Sequence, residues 1–140
     1  MPRKELASAS EKAGVPVAAL TPIDDGDELA VGAFRLRFHA TPGHSLGSMV
    51  IVVHGPTGAA RLLIAGDTLF PGSCGRIDLP DSDPMAMYHS LQHVVAGFND
   101  SLPVYPGHGY SGKRTTIGDE KLNGLLRPMS EQEWRANFNL

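Results

Sequence analysis

Thr41-Pro42-Gly43-His44-Ser45, Ala65-Gly66-Asp67-Thr68 and Tyr105-Pro106-Gly107-His108-Gly109 each place an imidazole or a carboxylate beside a glycine, just after a run of strand-forming residues. The proline of each Pro-Gly-His fixes one backbone position and the glycine frees the next. The chain can therefore turn sharply and aim the imidazole away from the strand that delivered it. Imidazole nitrogen and carboxylate oxygen are both zinc ligands, and two histidines with one carboxylate also suit iron. One Pro-Gly-His alone reads as a surface turn, and one Gly-Asp-Thr as an Asx-turn. Two such turns, with a strand-end aspartate between them in the sequence, point instead to a metal centre built from His44, Asp67 and His108.

The remaining histidines and the cysteine carry less. His89 and His93 have the i, i+4 spacing of a helical metal pair, but they fall opposite the apolar stripe of their predicted helix and read as solvated. His39 and His54, at the ends of predicted strands, read as surface or supporting residues. Cys74, in Gly72-Ser73-Cys74-Gly75, is a soft ligand in principle, but its setting is that of a small residue in a tight loop.

The elements that must position these groups follow from periodicity and punctuation. Pro2 to Ala13 reads as a short helix stopped by Gly14, and Val15 to Leu20 as an edge strand because of its proline. Glu28–Val31 and Phe34–Phe38 form a predicted hairpin with alternation, apolar in and basic out. Ser48–Val53 and Arg61–Ala65 are apolar almost throughout, as in strands covered on both faces, and the second runs straight into Asp67. Asp83-Pro84 caps a helix running to about Phe98, with Met87, Leu91, Val94, Val95 and Phe98 on one face at ~100° per residue. Leu102–Tyr105 is a short strand delivering His108. Thr115–Leu126 and Ser130–Phe138 read as helices, the latter with a capping box from Ser130 to Glu133.

Composition narrows the function classes. The 140 residues hold 12 basic and 15 acidic side chains, a net charge of −3, with no basic stripe that would follow a phosphate backbone, so nucleic acid is excluded as a partner. No apolar run approaches the ~20 residues needed to span a bilayer, which excludes a membrane span. A lone cysteine and an N-terminus without a secretory h-region fit a reducing, cytoplasmic setting.

In this order, the three ligand stretches resemble the metallo-β-lactamase superfamily. Gly75-Arg76-Ile77-Asp78-Leu79-Pro80 and Thr115 to Asn123 are similar to its glyoxalase II-like, hydroxyacylglutathione hydrolase-like branch. The resemblance covers nearly all of residues 1–140. It implies an α/β chain forming the C-terminal half of the family's αβ/βα sandwich, a mixed sheet with flanking helices. It further implies that His44 binds a first metal ion, that Asp67 bridges two ions as the catalytic carboxylate, and that His108 binds the second. The cofactor implied is one or two zinc ions, with iron or manganese as alternatives. The reaction implied is hydrolysis of a small-molecule thioester such as a 2-hydroxyacylglutathione, with Arg76, Arg114 and Lys121 as candidate substrate-binding residues.

The family also uses a His-x-His-x-Asp-His stretch, and this chain has no histidine before His39. The resemblance therefore implies a partial domain lacking that N-terminal segment. Asn123-Gly124-Leu125 departs from the branch's Asn-Pro-Phe. Two other readings stand beside the hydrolase: a mononuclear iron protein resembling the persulfide dioxygenases, and a non-catalytic half-domain that docks on another chain. Because the family packs two sheets face to face, this half should leave an apolar face, including residues of Ser48–Val53 and Arg61–Ala65, open to water. That predicts a homo-oligomer or a complex with the missing N-terminal half.

Overall fold

The computed structural model describes residues 6–140, so the Pro2–Glu5 start of the predicted first helix lies outside the described residues. Helix α1 spans Leu6–Ala13. The predicted edge strand after it is a single 3₁₀ turn, Val17–Ala19, whose Ala19 and Leu20 amides close onto Pro16 and Val17. Pro16 has no N–H to give to a ladder, and among the described residues no strand pairs with this segment.

Six strands then form one mixed sheet in sequence order: β1 (Glu28–Val31), β2 (Phe34–Ala40), β3 (Met49–His54), β4 (Ala60–Gly66), β5 (Pro103–Pro106) and β6 (Thr115–Thr116). All neighbours are antiparallel except β4 and β5, which run parallel. Parallel pairing needs a crossover, and the helical segment between these strands supplies it. Gly32, at φ 58°, turns β1 into β2 at the first corner of a two-residue loop, where a side chain would be strained.

The helical crossover begins as predicted. Asp83 accepts hydrogen bonds from the amides of Met85 and Ala86 at 2.9 Å each, and Pro84 opens α2 (Pro84–His89). The predicted single helix then loosens into a π turn (Ser90–Val94) and a 3₁₀ turn (Val95–Gly97). Long-range bonds hold the irregular part: Ser90 Oγ donates to the carbonyl of Pro42, and the Gln92 amide to those of Leu125 and Arg127. Predicted helix 115–126 is divided as well. Its first two residues form β6, and α3 runs Ile117–Asn123 behind a Thr116 cap. Helix α4 (Glu131–Phe138) carries the predicted capping box in both directions.

The helices cover one face of the sheet. Val50, Leu63, Ala65 and Val104 from the strands meet Met87, Leu91, Val95, Ile117, Leu126 and Trp134 in a core where each is essentially inaccessible. The opposite face is apolar too, and open. Cross-strand pairing aligns Leu29, Leu36, Val53 and Leu62 in one ladder, and Phe38, Ile51, Ile64 and Tyr105 in the next. On this face Leu29, Val31, Phe34, Ile64 and Tyr105 are exposed, from 38% at Tyr105 to 52% at Val31. The expected two-sided cover of β3 and β4 is thus one-sided in this chain. The apolar side of the β1–β2 hairpin points to solvent, while Arg35 and Arg37 share the helix-side face and both approach Glu28. No helix among the described residues is long and apolar enough to cross a membrane.

Candidate metal centre

The three ligand loops meet at the rim formed by the C-terminal ends of β2, β4 and β5. The first is anchored from below. The carbonyl of Gly43 accepts from the Asp83 amide at 2.7 Å, and its φ of 153° and its closeness to the Met87 backbone leave no room for a side chain. A fully buried pair, Thr41 Oγ1 and Thr68 Oγ1 at 2.9 Å, ties this loop to the one that carries Asp67. The third loop joins through Gly107, whose amide donates to the carbonyl of Gly66 at 2.8 Å.

These anchors bring the three predicted side chains together around one carboxylate. His44 Nε2 lies 3.4 Å from Asp67 Oδ2, and His108 Nδ1 lies 2.8 Å from Asp67 Oδ1. On its other side the His44 ring places Nδ1 2.9 Å from the carbonyl oxygen of Arg76. A carbonyl only accepts, so Nδ1 of His44 donates to it, and in the neutral ring that tautomer turns the Nε2 lone pair toward the carboxylate. Two acceptors at 3.4 Å call for a positive charge between or beside them, a proton or a cation. Among the described residues no three His, Cys, Asp or Glu side chains already close around a single point. The convergence is instead two pairs sharing Asp67. Neutral imidazole and carboxylate are zinc donors, and a carboxylate shared between two imidazoles suits bridging. The donor set therefore fits one or two metal ions of the kind read from the sequence.

Sequence reasoning missed the glycines that make this approach possible. A Cβ at Gly75 would collide with the carbonyl of Asp67 and stand 2.9 Å from His44 Nδ1; one at Gly107 would stand 2.8 Å from Asp67 Oδ1. For Gly107 the available signal was its place beside His108, read as turn chemistry rather than as room for the neighbouring loop; Gly75 adjoins no ligand in sequence. The buried threonine pair also went unseen, although Thr41 and Thr68 flank the ligand stretches.

An open cavity of about 370 Å³ leads to the carboxylate. Phe70, Cys74, Arg76 and Tyr110 wall it together with the three ligand residues. Tyr110 stacks on His108 at 4.8 Å, and Phe70 meets both rings edge-on. Burial pushes the Cys74 thiol up to about 12, so it stays protonated at neutral pH.

The substrate-binding candidates divide. Arg76 lines the cavity, but its guanidinium is held by Asp78 through bonds of 2.8 and 2.9 Å, and its contribution to the site is the carbonyl that orients His44. That pairing holds the exposed Asp78 carboxyl below the usual range. Arg114 is exposed and does not line the cavity, and Lys121 lies outside it, bonded to Asp100 and the Phe98 carbonyl. His89 and His93 are exposed and stack on each other, with Glu131 near His89. His39 packs edge-on against Phe98, and His54 bonds the Gly58 carbonyl.

Comparison with known proteins agrees with this geometry. The model of the metallo-beta-lactamase superfamily matches residues 1–109. A hydroxyacylglutathione hydrolase of Brucella anthropi is 40% identical over 107 residues, which cover 75% of this chain and 38% of that one. The human mitochondrial persulfide dioxygenase ETHE1 is 30% identical over 120 residues, 84% of this chain and 46% of that one. A crystal structure of a metallo-beta-lactamase from Staphylococcus aureus superposes with a TM-score of 0.78 at 26% identity, covering 88% of this chain and 40% of that one. The chain thus spans less than half the length of these relatives. With a family model matching residues 1–109 and a shared fold, this chain belongs to the metallo-beta-lactamase superfamily.

Proposed function

We propose that this chain carries part of the active site of a zinc-dependent thioester hydrolase, acting on a small acyl thioester such as a 2-hydroxyacylglutathione. The observation that carries this reading is the carboxylate of Asp67 shared between His44 and His108, with the His44 ring locked by the Arg76 carbonyl. His44, Asp67 and His108 would hold the metal. Bound there, zinc supplies Lewis acidity and a water whose pKa falls to about 7, acidic enough to give a nucleophile for an acyl carbonyl at neutral pH. The chain's own contribution is placement. Asp67 keeps two imidazoles in register, the Arg76 carbonyl fixes the tautomer of His44, and Phe70 and Tyr110 offer an apolar wall for the acyl or thiol portion of a substrate. For Arg76 to bind a substrate carboxylate, its guanidinium must exchange Asp78 for the ligand.

The open apolar face completes the proposal. It docks the sheet of a partner chain, or of the missing N-terminal half, that brings further donors to the same rim. The similarity to a persulfide dioxygenase favours a second reading, in which the same two-histidine, one-carboxylate set holds iron.

Metal analysis of the purified chain, followed by thioester hydrolysis and oxygen-uptake assays, separates these readings. Zinc with thioester turnover that Asp67→Asn abolishes supports the hydrolase. Iron with persulfide-dependent oxygen uptake favours the dioxygenase. A metal-free, inactive protein favours a docking half whose ligands no longer serve.

A further inference from the structure

Pro71 and Gly72 form the corner of a tight turn closed by bonds between Phe70 and Ser73, at 2.8 and 3.1 Å, with Gly72 at φ 70°. The amide of Gly72 points away from that turn and donates to both carboxylate oxygens of Glu120, 3.1 Å from each. The same carboxylate accepts from Thr115 Oγ1 at 2.9 Å. Glu120 is only 3% exposed, and among the described residues no basic side chain bonds it. A burial this deep is costly unless the donors are well placed, so the carboxylate and its partners constrain one another. A Cβ at position 124 would collide with this carboxylate, which accounts for glycine after Asn123.

The two partners lie on the two loops that wall the cavity. Gly72 belongs to the turn presenting Phe70 and Cys74, and Thr115 ends the loop that carries Tyr110. These loops come close again at position 112, where a Cβ would stand 3.2 Å from Pro71 Cγ. The geometry points to Glu120 as a positioning residue for the candidate site: one buried carboxylate sets the separation of the two loops, and through it the contact of Phe70 with His108 and Tyr110. This rests on the reading of the cavity as the working site.

Cys74 gives a readout independent of any reaction, because it is the only thiol and sits on the positioned loop. Glu120→Ala should raise its alkylation rate by iodoacetamide at least about tenfold, since loss of the hydrogen-bond acceptor shared by both loops raises local opening. It should also shift the Gly72 amide resonance, with Trp134 still packed in the core. Glu120→Gln keeps the shape and one acceptor oxygen and should recover most of the native rate. If the alanine variant does not fold, Thr115→Val replaces it and should move the same readouts in the same direction by less. In thioester hydrolysis, KM should rise more than kcat falls. The inference is overturned if a folded Glu120→Ala, or Thr115→Val in its place, leaves the thiol rate and the Gly72 amide unchanged, or if Glu120→Gln behaves like Glu120→Ala. Absence of hydrolysis in the unaltered chain counts against the hydrolase reading only, and the thiol and amide readouts still decide this inference.

Discussion

A methyl group at position 75 would collide with the Asp67 carbonyl and crowd Nδ1 of His44, so the ligand residues depend on atoms that are missing as much as on those present. Gly75→Ala should cost about 1–3 kcal/mol by overpacking. Zinc affinity, read by titration beside a thermal melt, should fall further than that loss of stability explains, because the two ligands are pushed apart. His39 gives a prediction in pH. Burial, chiefly, and the charge of Arg37 lower its pKa; Asp25 opposes them and His54 adds a small push in the same direction. The folded chain therefore refuses a proton that the unfolded chain accepts near pH ~6.5, and stability should fall as pH drops through that value, levelling off below the folded pKa. Urea midpoints measured across this range should slope less in His39→Leu. An unchanged slope would remove His39 as its source. The residue types and loops of the candidate site were legible in the sequence because Pro-Gly-His is a local signal. The bond from His44 to the Arg76 carbonyl was not, because it joins positions 32 residues apart through a main-chain atom that any residue would supply.

The helix starts with local caps and the five strands from β1 to β5 matched their reading, while the breaks in the helical segments, set by distant partners, did not. Asp83-Pro84 and the Ser130–Glu133 box open helices where predicted, because each cap is satisfied within three residues. The π turn after His89 was invisible, since Pro42, Leu125 and Arg127 supply the carbonyls that hold Ser90 and Gln92. Helix α4 is short, so its stability rests on its cap and on Trp134, whose indole N–H donates to the Pro84 carbonyl at 3.0 Å within the core. Ser130→Ala should cost about 1 kcal/mol and Trp134→Ala about 3–5 kcal/mol in denaturant unfolding. Near-equal costs would mean that α4 contributes little to the core.

For the molecule as a whole, the sheet is a core built on one side only. Val50, Leu63, Ala65 and Val104 are sealed against the helices, while Leu29, Val31, Phe34, Ile64 and Tyr105 on the opposite face are exposed. Phe34→Glu combined with Ile64→Lys should therefore reduce self-association or dye binding in sedimentation and fluorescence while leaving the melting transition nearly in place. Similar substitutions in a covered face would unfold the chain. What covers this face was not legible in the sequence, because an apolar strand face reads the same whatever packs on it. The proposed site requires that loops from three strands deliver His44, Asp67 and His108 to one cation. Anomalous diffraction at the zinc edge from crystals of the zinc-loaded protein should then show a peak about 2.0–2.2 Å from His44 Nε2 and from a carboxylate oxygen of Asp67, with His108 bound to the same ion or to an adjacent one. Zinc bound elsewhere, with these three side chains left as they are, would contradict it.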